Sequence, residues 1–119
     1  MTTLIIGASE QPQRYSHLAA LRLLEAGEDI LMLGKQEGEV NGQPIYKELP
    51  ADHPEVHTIT LYVNPSHQEN YRDLIFSLKP KRVIFNPGTE NLALMQALEA
   101  AGVEAFPACT LVMLSIGQF

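Results

Sequence analysis

The segment Leu4-Ile5-Ile6-Gly7-Ala8-Ser9-Glu10-Gln11-Pro12-Gln13-Arg14-Tyr15-Ser16 (LIIGASEQPQRYS) sets the terms for the whole chain. Three bulky apolar residues run into a glycine. A polar loop containing Pro12 follows, and a helical pattern begins at Ser16. Strand, glycine, loop and helix is an arrangement by which many proteins hold a phosphate, because N–H groups at a helix start point outward, unpaired, from a positive dipole end. Gly7 permits a tight bend and a close approach to the backbone. Arg14 can pair with a phosphate through its planar fork. The second and third glycines of a dinucleotide fingerprint are absent, so Gly7-Ala8-Ser9 is a weak motif alone. An ordinary strand-to-helix turn with Ser16 as helix cap explains the same residues.

Outward from this segment, apolar runs and helical patterns alternate. Thr3 to Ile6 reads as a buried strand. Ser16 to Ala26 reads as a helix with Leu18, Ala20, Leu21 and Leu24 on one face, and Gly27 stands where a helix usually stops. Asp29 to Leu33 is a second strand. Asn41-Gly42, inside Gly38 to Tyr46, signals a tight turn and a small hairpin or loop excursion. His57 to Val63 is a third strand, rich in β-branched and aromatic residues. Ser66 and Glu69 have capping-box spacing at the start of a helix whose apolar face is Tyr71, Leu74, Ile75 and Leu78, and Lys79-Pro80 ends it. Arg82 to Phe85 is a fourth strand. Glu90 to Ala101 is a helix with Leu94, Met95 and Leu98 inward and Gly102 beyond. Val103 to Phe106 is a fifth short strand, and the apolar tail Thr110 to Phe119 suits a short helix.

This alternation predicts an α/β fold: a Rossmann-like doubly wound parallel sheet of about five strands with helices on both faces. Residues 1–119 make a single domain, since the length suits one core and no linker or repeat interrupts it. In such sheets ligands sit beyond the carboxyl ends of the strands, where the winding reverses. With the spatial order 3-2-1-4-5, that point falls between the first and fourth strands, flanked by Gly7–Ser16 and Asn86–Glu90.

Apolar residues are 45% of the chain, enough for a core. The net charge of −6 argues against a nucleic-acid surface, though not against a phosphate held by backbone N–H groups. Cys109 is the only cysteine, which fits a reducing compartment. No leader pattern and no apolar run of membrane-spanning length is visible, so the expectation is a soluble cytoplasmic protein.

Five further features bear on the chemistry. Asn86-Pro87-Gly88-Thr89-Glu90 forms either a cleft wall or a rigid turn with Thr89 or Glu90 opening the next helix, and its residues alone favour the turn. Lys35 follows the second strand, where an acid would meet a bare ribose and a lysine better suits a phosphate, and a solvated loop lysine explains it equally well. Val63-Asn64-Pro65 ends the third strand, beside a ligand or as a helix entry. Cys109, lacking an evident partner base, reads as packing. His17, His53, His57 and His67 show no metal spacing and read as surface or capping residues. No catalytic or metal-binding residue is assigned.

Taken together and in order, Ile6-Gly7-Ala8-Ser9 with Tyr15-Ser16, Leu61-Tyr62-Val63-Asn64-Pro65, and Ile84-Phe85-Asn86-Pro87-Gly88-Thr89-Glu90-Asn91 resemble the small single-domain CoA-binding proteins. These are similar to the N-terminal CoA-binding domain of the succinyl-CoA synthetase alpha subunit. The resemblance spans nearly the whole chain. It implies a domain holding the nucleotide of CoA or an acyl-CoA over the strand tips. Gly7, Ala8 and Ser9 would take phosphate oxygens, and Arg14, Tyr15 and Ser16 would complete that wall. Lys35 would approach the adenosine phosphate. Val63, Asn64 and Pro65 would line the nucleotide, and Pro87, Gly88 and Thr89 the pantetheine path. Two departures stand out. Gly34-Lys35 replaces the Asn-Pro that many members carry there, and the synthetase's second domain, with its phosphorylated histidine, has no counterpart in these residues.

The leading expectation is a non-catalytic CoA- or acyl-CoA-binding domain, a sensor or accessory subunit. One alternative is an NAD(P)-dependent enzyme or oxidoreductase accessory on the same fold. Another is an interaction module with a vestigial nucleotide site, its tail from Leu111 to Phe119 docking a second copy or a partner subunit. Gly7→Val is expected to block the ligand while leaving the fold largely intact.

Overall fold

The computed structural model describes all 119 residues, Met1–Phe119. Its centre is β1 (Thr2–Ile6), every residue of which is buried, as a strand covered on both faces requires. On one side β1 pairs in parallel with β2 (Asp29–Leu33), and on the other with β5 (Val56–Leu61). The parallel ladder continues through β6 (Arg82–Phe85) to β7 (Glu104–Pro107). Beyond β2, β3 (Gly38–Val40) and β4 (Gln43–Tyr46) form the Asn41-Gly42 hairpin. Both turn residues take positive φ, the geometry that this dipeptide favours.

The result is a seven-stranded, mostly parallel sheet in the order β3-β4-β2-β1-β5-β6-β7. Two sequence expectations are corrected here. The hairpin is no excursion, because β4 joins the sheet in parallel with β2, pairing Ile45 with Met32 and Tyr46 with Leu33. It buries Ile45 against the apolar side chains of β2. With β4 in that place, the strand predicted as third lies directly beside β1. The winding therefore reverses between β1 and β5, and the loops flanking that point are those after Ile6 and after Leu61. The turn at Asn86 stands one strand further out.

Two apolar layers hold the helices. On one face α3 (Arg72–Leu78) and α4 (Leu92–Ala100) bury Ile75, Leu94 and Leu98 against Leu4, Ile6, Ile59, Leu61 and Phe85. On the other face α1 (Tyr15–Glu25) buries Ala20 and Leu23 against Ile5, Ile30 and Met32, and α5 (Thr110–Ser115) packs beside it. The buried stripe of α1 is Ser16, Ala19, Ala20 and Leu23. The larger Leu18, Leu21 and Leu24 flank it half-buried, because small residues let the helix sit close to the sheet.

Helix entries also differ from the sequence expectation. Asn64 caps the short α2 (Pro65–Gln68), its side chain accepting from the Ser66 N–H, so the Ser66–Glu69 capping box does not form. Pro65 occupies the first helical position, where its missing N–H is harmless. A 3-10 turn (Glu69–Tyr71) separates α2 from α3. Asn91, rather than Thr89 or Glu90, caps α4. No helix is long and apolar enough to cross a membrane.

Candidate functional site

The loop after β1 is fixed by backbone packing. Gly7 has φ +96°, and a Cβ there would meet the Tyr62 carbonyl oxygen at 2.7 Å. The missing side chain therefore faces β5 and not a ligand approach. A valine at Gly7 would force β1 and β5 apart, which corrects the expectation that such a variant keeps its fold. Gly34 is the counterpart on the β2 side. A Cβ on it would lie 2.6 Å from the Ala8 carbonyl oxygen, a close approach that the sequence did not announce. The Gly7 and Ala8 N–H groups both donate to the Leu33 carbonyl, at 2.9 and 2.8 Å. These two donors are spent on joining the tips of β1 and β2.

The remainder of the loop is open. His17 Nδ1 lies 2.9 Å from the Ser9 carbonyl oxygen, pinning the loop to α1. The Glu10 carboxylate accepts from the Glu39 N–H and ties it to the hairpin. Arg14 stands at the N-cap position, where no side chain caps the helix, and the first turn carries no acidic residue. The N–H groups of Tyr15 and Ser16 have no acceptor in the chain. Ser16 is buried, at 4% exposure, inside the first turn, so it does not act as the cap. Tyr15 is 73% exposed beside it. The Arg14 guanidinium makes one hydrogen bond, donating from Nε to Gln11 Oε1 at 3.3 Å. Uncapped N–H groups, a positive helix end and an uncommitted guanidinium suit an anion. Lys35 is exposed at the β2 tip, and the contact of Gly34 with Ala8 sets it next to this loop.

The turn after β6 is the reverse. Asn86 is buried and its side chain is fully engaged. Its amide donates to Thr60 Oγ1 at 2.7 Å and to the Leu61 carbonyl at 2.8 Å, and its Oδ1 accepts from the Thr110 N–H at 2.8 Å. Thr89 is buried too, with its hydroxyl donating to the Asn86 carbonyl. The Gln68 amide donates to the Val63 and Thr89 carbonyls. Its own oxygen accepts from Asn91. Thr89 thus braces the turn, while Pro87 and Gly88 remain exposed above it. Asn64 and Pro65 are exposed at the β5 tip, with the Asn64 side chain committed to its cap.

Between the starts of α1 and α5 lies a cleft of about 270 Å³, lined by Tyr15, Tyr62, Asn86, Pro87, Cys109 and Leu111. It brings together Tyr15 and Pro87 from the predicted set and adds Tyr62, Cys109 and Leu111, which the sequence reading had not placed in a site. Cys109 is half-buried on the cleft wall, not core packing. Burial pushes the Tyr62 phenol up to about 12, and the Cys109 thiol beside it adds to the rise. The Thr60 and Thr110 hydroxyls act in the opposite sense but lie 2.8 Å from each other, and neither forms a bond with the phenol. A larger, more open groove of about 460 Å³ lies beside Leu33, Tyr71 and Leu74, and no predicted site residue lines it. No cluster of His, Cys, Asp and Glu is grouped for a metal ion.

A doubly wound sheet with a cleft over its strand tips, next to an uncapped helix start, is the arrangement that nucleotide-binding domains of this class use. The comparisons narrow it. The family model described as a CoA binding domain matches residues 1–115, and the chain belongs to that family. A crystal structure of an uncharacterized protein is 49% identical and has a TM-score of 0.94, over 99% of this chain and 97% of that one. A conserved hypothetical protein from Pyrococcus furiosus is 29% identical at a TM-score of 0.78, over 93% of this chain and 97% of that one. The dinucleotide-forming acetyl-coenzyme A synthetase 1 of Ca. Korarchaeum cryptofilum, solved with phosphate and ADP, shares the fold at a TM-score of 0.74 and 16% identity. That match covers 92% of this chain and 25% of that one. No curated protein matches the chain.

Proposed function

We propose that the chain binds CoA or an acyl-CoA over the tips of β1, β5 and β6 and holds it without turnover, as a sensing or accessory domain. The family match over residues 1–115 carries this reading, because the family is described as a CoA binding domain. The geometry supports a division of labour. The phosphates lie over the free first turn of α1, with Ser9, Arg14, Tyr15 and Ser16 around them and Lys35 at the adenosine phosphate. Val63, Asn64 and Pro65 border the nucleotide, and Pro87 and Gly88 the path of the arm. Gly7, Ala8 and Thr89 serve this site through the backbone they shape. Tyr62 has a shifted pKa, but the shift favours the neutral phenol, which suits hydrogen bonding rather than proton abstraction near neutral pH.

The test is a thermal-shift series with CoA, acetyl-CoA, dephospho-CoA, NAD, NADPH and ATP. A ligand at a hundred times its Kd stabilises by about 2.7 kcal/mol. The expected result is a shift with CoA that weakens when the 3′-phosphate is removed. A shift with NADPH alone would replace this reading with a nicotinamide-dependent one.

A further inference from the structure

The cleft between α1 and α5 is lined by Tyr62, whose hydroxyl the fold leaves unpaired. The Tyr62 hydroxyl is covered from solvent and has no hydrogen-bond partner in the chain. Buried hydroxyls are nearly always paired, so an orphan in a cleft points to a partner from outside. Its polar neighbours are bonded to one another: Thr60 and Thr110 share a hydrogen bond, and the Asn86 side chain donates to Thr60 and Leu61 and accepts from Thr110. Tyr15, Pro87, Cys109 and Leu111 complete the wall, and none of the lining residues is acidic or basic. A phosphate here would be buried without a countercharge. A neutral chain carrying carbonyl groups would meet mostly apolar walls and the free Tyr62 donor.

We infer that this cleft takes the uncharged arm of the ligand and that the Tyr62 hydroxyl donates to a carbonyl oxygen of that arm, a pantetheine amide or the thioester of an acyl group. The inference rests on the CoA reading and adds a positioning residue to it. The phenol keeps its proton throughout the physiological range, so the donor is always present. Tyr15, largely exposed at the lip, loses little packing by moving aside to admit the arm. The charges of the two ends then sort the ligand: Arg14 and Lys35 meet the phosphates, and the uncharged cleft meets the arm.

The experiment compares wild type with Tyr62→Phe by titration calorimetry against adenosine 3′,5′-bisphosphate, CoA and acetyl-CoA. The bisphosphate carries the nucleotide end without the arm. Tyr62→Phe should weaken acetyl-CoA, alone or together with CoA, by about fivefold and leave the bisphosphate unchanged. Loss confined to acetyl-CoA assigns the bond to the thioester, and loss with both ligands assigns it to an amide. The unliganded variant should melt no lower than wild type, since phenylalanine fills the same space without an orphan donor. Equal weakening of all three ligands, unchanged CoA and acetyl-CoA affinities, or a clearly lower melting temperature would overturn the inference. If wild type itself fails to bind CoA, the proposed function falls and this inference with it. If wild type binds CoA and the variant matches it for both CoA and acetyl-CoA, only the inference falls.

Discussion

Two turns rise from the strand tips, and they use polar residues in opposite ways. The loop after β1 spends the Gly7 and Ala8 N–H groups on β2 and leaves Arg14 and the first turn of α1 free. The turn after β6 spends nearly everything internally, through Asn86, Thr89, Gln68 and Asn91. In sequence both are short polar stretches punctuated by Gly and Pro. In the fold one keeps its outward hydrogen-bonding groups free and the other is the clip that joins β5, β6, α4 and α5. A polar residue near a strand tip contributes to binding only where its hydrogen-bonding capacity remains unspent.

The clip gives the largest expected effect. Asn86→Ala removes three hydrogen bonds and leaves the Leu61 carbonyl and the Thr110 N–H without that partner in a buried place. It should cost about 3 kcal/mol, since each buried group left unpaired costs about 1–3 kcal/mol. Chemical denaturation would measure this, and a loss under 1 kcal/mol would mean that the network is replaceable by water. The two turns can also be compared through their glycines. Gly7 and Gly88 both have positive φ, but only Gly7 is pressed against a neighbour. Gly88→Ala should cost about 1 kcal/mol from backbone conformation alone. Gly7→Ala should cost about 2 kcal/mol or more, because the Tyr62 carbonyl must also move. Equal losses would remove the close approach from the explanation.

The parallel sheet and the two-sided helical cover were readable in advance, because buried strands read as short apolar runs and amphipathic helices carry their own period. The strand order was not. It depended on whether β4 joined β2, and Gln43–Tyr46 is too short to show a period. Its partner is chosen by tertiary burial of Ile45. The caps misled for a related reason. Ser66 and Thr89 have suitable chemistry, but Asn64 and Asn91 lie where the backbone enters the helix. The Gly7 loop was located from its residues. The cleft beside it was not, since Tyr15, Tyr62 and Cys109 are distant in sequence and meet only through the packing of α1 and α5 over the strand tips.

Alkaline unfolding probes the buried floor of the cleft between the two turns. An unfolded tyrosine loses its proton near pH 10, whereas Tyr62 in the fold does so near 12. Between these values the native state holds more protons than the unfolded state, so stability falls as pH rises. Below pH 10 the group contributes no slope. At pH 11 the loss should be about 1.4 kcal/mol, one pKa unit's worth. Tyr62→Phe should lack this component, and denaturation of both proteins at pH 9 and pH 11 would reveal it. Identical declines would mean that the phenol ionises in the folded protein as it does in water.

The smallest expected effect falls on the free turn and bears most directly on what it binds. Arg14 is exposed, and its side chain meets only Gln11. Arg14→Ala should therefore leave stability within about 0.5 kcal/mol, as for surface positions without a specific role. If the phosphates lie over α1, the same change should weaken CoA about fivefold, near 1 kcal/mol. The loss should shrink as salt is raised, because an exposed ion pair is screened over roughly 10 Å at 0.1 M. Calorimetry at two salt concentrations separates this from a general disturbance of the loop. A loss insensitive to salt would make Arg14 a brace for the loop. Unchanged affinity with unchanged salt dependence would move the phosphate contact away from Arg14, and Lys35 at the β2 tip would then be the cation to test.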